Sequence, residues 1–257
     1  MHAWAICNAS SCVDPSGDAA TDYAHGTPAL APWHRVFVSY VESEIEDILD
    51  DGLPFGFPYW PWYDPAATAR LFSPEILGSN GDPKLDFQVT DSAFASLPVF
   101  NKEGREGKTQ IQRRFGRYKD VDVLSTRTDV DFCLDKIPYD VFPYTNKVSA
   151  GFRGCLEGWF GLNTSTTEHT HNRAHLWVGG TMIPTTLSPS DPAFFFLHSF
   201  VDKIYDQWIV RHSGAPYLPE RGAPLFANAR EPLRPWLPLR TPTQVHRPGV
   251  ELGHIYT

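Results

Sequence analysis

Apolar residues recur at helical spacing in several stretches of the chain. From Trp33 to Leu49 they fall at Phe37, Tyr40, Val41, Ile45 and Ile48, which predicts a helix with one buried face. Pro32 suits its first turn, where a missing N–H costs nothing, and Asp50-Asp51-Gly52 stops it. A short helix is expected near 66–72, another over 147–159, and another from His169 to Val178 that ends at Gly179-Gly180. Ser190-Asp191-Pro192 is a strong helix start, and the run from Phe194 to His212 carries apolar residues at 194, 197, 201, 204, 205 and 208. Between these helices, residues 53–110 are rich in Pro, Gly, Ser and Asp and read as long ordered loops. From 213 onward the chain is proline-rich and reads as an extended tail over the body, so residues 1–257 are taken as a single domain.

Composition fits a globular protein with a ring-rich core: 42% hydrophobic, 14% aromatic, eight Trp and seventeen Phe. The net charge of −8 argues against a nucleic-acid partner. The short basic run of Arg113, Arg114, Arg117 and Lys119 is read as a solvated helix face. No apolar stretch reaches the ~18 residues of a membrane span. Four cysteines (Cys7, Cys12, Cys133, Cys155) allow up to two disulfides in three connectivities. With sequons at Asn8 and Asn163 they fit a secreted or vesicle-lumen protein whose leader is absent from this sequence.

Ten histidines are present, and their placement carries the chemistry. His171 and His175 lie four apart on an expected helix, so both imidazoles share one face and can reach one metal ion. His198 follows on the next long helix. Three neutral imidazoles leave a coordination position open, as an oxygen-binding or catalytic site requires. A second trio is His2, His25 and His34, the last opening the Trp33–Leu49 helix. A single helical His is more often a hydrogen-bonded core or surface residue, and an H-x-x-x-H pair alone is a weak signal. Imidazole suits copper, zinc, iron and nickel alike. His169, His212, His246 and His254 are assigned to loops or the surface.

The segment from His25 through Pro28, Pro32 and Trp33 to His34, Arg35 and Phe37 resembles the copper-A motif of the tyrosinase family of type 3 copper proteins. His171-Asn172-Arg173-Ala174-His175 resembles its copper-B motif, completed by Asp191-Pro192 through Phe194 and His198 to Asp202. Pro58-Tyr59-Trp60-Pro61-Trp62 is similar to another family signature, and Asp131-Phe132-Cys133-Leu134 and Leu156-Glu157-Gly158 fall in the order seen in animal tyrosinases and tyrosinase-related proteins. The resemblance implies a mainly α fold, a four-helix bundle holding a dinuclear metal centre, with long ordered loops and few short strands. It implies two copper ions, copper A on His2, His25 and His34 and copper B on His171, His175 and His198. It also implies that Glu157 and Asn172 hold a water that deprotonates an incoming phenol, that Phe194 packs on the His198 ring, and that Arg35 pairs with Asp202. The implied activity is oxidation of phenols or catechols to ortho-quinones with O2. Leu197 before His198, together with Thr185, resembles the tyrosinase-related branch and keeps a zinc-containing isomerase or melanin-pathway protein as an alternative; a hemocyanin-like oxygen carrier is another.

Overall fold

A computed structural model of the protein describes residues 22, 24–100, 106–118, 121–144, 150–163, 168–218, 227–234 and 238–256. His2, Cys7, Cys12 and the Asn8 sequon lie outside the described residues, as do Thr164 and Ser165 of the second sequon.

Helix α1 is Leu30–Leu49, three residues longer at its start than the apolar pattern predicts. Its first half is buried through Leu30, Ala31, Trp33, His34, Arg35, Phe37 and Val38, and its C-terminal end runs out to an exposed Ile48. Asp50 ends it in the left-handed region, with its N–H donating to the Glu46 carbonyl. Helix α2 is Pro65–Leu71, started by Asp64, whose carboxylate accepts the Ala66 and Ala67 N–H groups. Helix α3 (Arg127–Leu134) opens with a Thr126–Asp129 capping box. Helix α4 spans only Phe152–Glu157, shorter than expected, because Gly151 and a left-handed Gly158 bound it. A side chain at Gly158 would bring its Cβ within 2.2 Å of the His169 carbonyl oxygen, so glycine is required where α4 passes the start of the next helix.

That next helix, α5, is Thr170–Val178, and α6 is Ala193–Arg211. Asp191 accepts the Ala193 N–H at 2.9 Å, so the expected cap acts with Pro192 one residue ahead of the helix. Buried side chains stand on nearly every face of α6, as in a helix at the centre of a core. The tail is not wholly extended: it contains α7 (Pro242–Val245) and a 3₁₀ turn at Gly249–Leu252. Two short strands, β1 (Pro98–Phe100) and β2 (Glu106–Gln110), pair antiparallel.

One buried cluster runs from Ala24 to Val245 and draws on α1 through α7, with Trp33, Trp60, Trp62 and Trp208 almost wholly enclosed. Polar links fix the angles within it. Arg35 on α1 donates to Asp202 on α6 at 2.5 Å and to the Val245 and Arg247 carbonyls in the tail. Cys133 and Cys155 form a disulfide joining α3 to α4. The basic run at 113–117 corrects the sequence reading. It is not helical, and Arg113 is fully buried, bidentate to Asp191 at 2.7 and 2.8 Å and bonded to the Leu77 and Gly78 carbonyls. A guanidinium buried with its hydrogen bonds satisfied is tolerated in a core, but its partner lies 78 residues away and local pattern does not reveal it.

Candidate metal centre

Five of the six expected histidines converge. His25 sits on the loop before α1, His34 on α1, His171 and His175 on α5, and His198 on α6. The imidazole nitrogens of His171, His175 and His198 offer ligand atoms all within 4.8 Å of one another. The His34 and His198 rings stack at 4.1 Å and 12°, and His25 meets His34 edge-on at 5.0 Å. The His171 and His198 ring centroids are 5.0 Å apart. The two groups of rings are therefore contiguous across α1, α5 and α6.

The ring nitrogens are oriented by what lies behind them. His34 Nδ1 is 2.8 Å from the Leu30 carbonyl, His175 Nδ1 2.9 Å from the Met182 carbonyl, and His171 Nδ1 3.2 Å from the Glu157 carbonyl. A carbonyl only accepts, so each Nδ1 carries the proton and each Nε2 presents its lone pair, the arrangement that prepares a metal ligand. His171 Nε2 is buried and has no hydrogen-bond partner among the described residues, which is costly in a protein without a bound group and natural for a ligand. Burial, then the charge of neighbouring histidines, holds His171 well below the usual imidazole pKa; burial brings His175 down to about 4. Both rings are neutral at physiological pH, as metal binding requires. His25 differs. Burial works against its charge, but Asp22, 3.2 Å from Nδ1, more than offsets that and raises its pKa. Phe194 packs on the His198 ring at 4.1 Å, as the motif implies.

Glu157 is buried and both its oxygens are engaged. One accepts the Gly26 N–H at 2.6 Å and the other the Arg153 guanidinium at 2.9 Å. Arg153 in turn donates to Asp140 at 2.8 Å. The carboxylate therefore ties α4 to the loop carrying His25. Asn172 stands one residue from His171, its Oδ1 3.1 Å from His171 Nδ1. Sequence reasoning missed Asp22, Arg153 and Asp140. Only Asp22, three residues before His25, leaves a local trace.

The four histidines assigned to loops or the surface do lie outside the helices, and each makes a structural contact. His169 is buried as the cap of α5. His246 bridges the Tyr205 hydroxyl and the Ala215 carbonyl, His212 reaches the Leu134 carbonyl, and His254 meets Ser39.

The family model for the common central domain of tyrosinase matches residues 2–211. The chain belongs to the tyrosinase family. A tyrosinase from Streptomyces antibioticus is 37% identical over 217 residues, covering 82% of this chain and 74% of that protein. The dog tyrosinase is 28% identical over 264 residues, covering 92% of this chain and 48% of that protein. Among solved structures, a tyrosinase from Burkholderia thailandensis superposes with a TM-score of 0.56 at 17% identity, covering 91% of this chain and 63% of that one. A functional unit of octopus hemocyanin does so at 0.53 and 20%, covering 91% and 50%. These two share the fold. In this tyrosinase-family chain the three imidazoles on α5 and α6, with the His171 and His175 tautomers set by carbonyls, fit the copper that the family carries.

Proposed function

We propose that this protein is a copper-dependent oxidoreductase that converts phenols or catechols to ortho-quinones with O2. The observation that carries the reading is the convergence of the His171, His175 and His198 rings against His34 and His25, with the buried Nε2 of His171 directed to no protein partner among the described residues. His171, His175 and His198 would hold one copper ion; His25 and His34, with His2, would hold the other. The pair, when bound, would supply oxygen binding and the electron transfer: two electrons from a catechol, or four in all from a monophenol that also gains one oxygen atom from O2 while the other leaves as water.

The remaining chemistry belongs to the protein. Glu157 is fixed by Arg153 and Gly26, and a carboxylate has further lone pairs beyond the two in use. With the Asn172 amide beside His171, it is placed to hold a water that accepts the phenol proton. Phe194 keeps the His198 ring in register and excludes water behind it. Trp159, partly exposed two residues beyond Glu157, offers a ring on which a substrate can stack. Among the described residues no helix is long and apolar enough to cross a membrane. A secreted or vesicle-lumen location is supported by the Cys133–Cys155 disulfide, which persists in oxidising compartments.

The test is to load the purified protein with copper and measure catechol oxidation by quinone absorbance, alongside metal analysis. Turnover with two coppers per chain supports the reading. Zinc retained in place of copper, or no turnover in the fully loaded protein, overturns it.

A further inference from the structure

Apart from the metal centre, a cavity of about 720 Å³ lies between α1, the loop 54–61, α6 and the C-terminal stretch 253–256. Its lining joins the rings of Phe55, Phe57 and Tyr256 to the carboxylates of Glu42 and Asp202 and to Ser199. Asp202 is answered by Arg35 and by the Tyr256 hydroxyl. Glu42 is not answered. It accepts the Phe57 N–H at 2.9 Å and forms no ion pair among the described residues. Burial raises its pKa, the Phe57 N–H pulls the other way, and the nearby carboxylates of Asp202 and Glu46 add to the rise, leaving it at about 7. Ser199 is 2% exposed, and its hydroxyl has no hydrogen-bond partner among the described residues. A desolvated carboxylate without a counter-charge and an unsatisfied buried hydroxyl are both costs that a suitable ligand removes.

We propose that this cavity binds a small organic ammonium ion, with Glu42 as counter-charge, Ser199 as a hydrogen-bonding group and the Phe55 and Phe57 rings as its apolar walls. The wall chemistry selects that class. An anion would face carboxylates. A calcium-like ion takes about six to eight oxygen ligands, and among the described residues the one cluster able to hold a metal is the histidine trio. Aromatic faces beside a carboxylate are the usual surroundings of a bound ammonium. The Tyr59 ring, on the same wall, already carries the Lys203 ammonium 3.7 Å from its centroid, so the ligand's cation is directed to Glu42.

Binding of phenethylammonium to the metal-free protein, measured calorimetrically at about pH 8, where carboxyls are ionised, tests the site. Phenethyl alcohol is the neutral control. The ammonium ion should bind one per chain and raise the melting temperature, with the alcohol and the Glu42→Gln variant each at least about tenfold weaker. No binding, equal affinity for ammonium and alcohol, or full affinity in Glu42→Gln would overturn the proposal; the last would place the ligand elsewhere, the metal centre included. The ammonium-to-alcohol ratio in the unaltered protein, and a weakened Ser199→Ala, keep the test decisive if Glu42→Gln does not fold.

Discussion

At His198 a single ring touches both halves of the centre, stacked on His34 and 5.6 Å from His175. His198→Ala should therefore lower bound copper by at least one ion per chain and abolish catechol turnover, while the far-ultraviolet dichroism stays that of the parent. Loss of activity with full copper retention would remove it from the ligand set. Glu157 separates two roles. Glu157→Gln keeps the shape but can accept from only one of its two donors, the Gly26 N–H or the Arg153 guanidinium, and gives up the negative charge that makes the held water a proton acceptor. The expected result is a kcat about 10²-fold lower with copper content unchanged. Glu157→Ala also releases the His25 loop and should lower copper content as well, read by atomic absorption. Histidine positions were legible because i, i+4 spacing and a helix start are local features. The groups that aim them were not: the Leu30, Glu157 and Met182 carbonyls leave no residue-type signature, and the Asp140–Arg153 side-chain pair closes across 13 residues with no local pattern.

Between elements, one ion pair sets how the ligand-bearing helices α1 and α6 meet, and one covalent link joins two helices that carry no ligand histidine. Arg35 and Asp202 are 2% and 5% exposed, and removing Asp202 leaves the buried guanidinium only the more distant Asp206 carboxylate, 3.8 Å away, among its ion-pair partners in the described residues. Asp202→Ala should lower folding stability by about 3–5 kcal/mol, measured as a shift in the urea midpoint at constant slope. The double change Arg35→Met, Asp202→Leu should recover a large part of that loss, since apolar packing replaces a pair that must otherwise be desolvated. The Cys133–Cys155 bond spans 22 residues and joins α3 to α4. Replacing both cysteines by serine should cost about 3 kcal/mol of stability by denaturant titration, while copper per folded chain is unchanged, because the ligand histidines lie on other segments. Helices α1, α5 and α6 were readable from periodicity and caps. Helix α4 is shorter than its apolar pattern predicts at both ends: Gly151 is extended before it, and at Gly158 the approach of the His169 carbonyl makes the chain turn.

Across the whole molecule the bundle was legible and the packing of the tail was not. Prolines mark the tail as irregular, but its anchors are single contacts: Gly249 N–H to Asp206 and His246 to Tyr205 on α6, with Tyr217 to the Ala227 carbonyl and His246 to the Ala215 carbonyl inside the tail. His246 gives this closure a measurable pH dependence. Its Nε2 faces a carbonyl, which only accepts, so Nε2 carries the proton and Nδ1 accepts from the Tyr205 hydroxyl at 2.8 Å. A second proton would break that bond. Burial first, and the nearby Arg35 after it, hold the folded pKa at about 4, against 6.5 for the free side chain, while the Ala215 carbonyl pulls the other way. Between those values the unfolded chain binds a proton that the folded one refuses, so stability from this residue is fully present above 6.5, declines as pH falls, and is exhausted near 4. In urea titrations of the metal-free protein across that window, His246→Gln should show a shallower loss of stability with falling pH than the parent. Parallel slopes for the two proteins would mean that His246 is not the group that senses the proton.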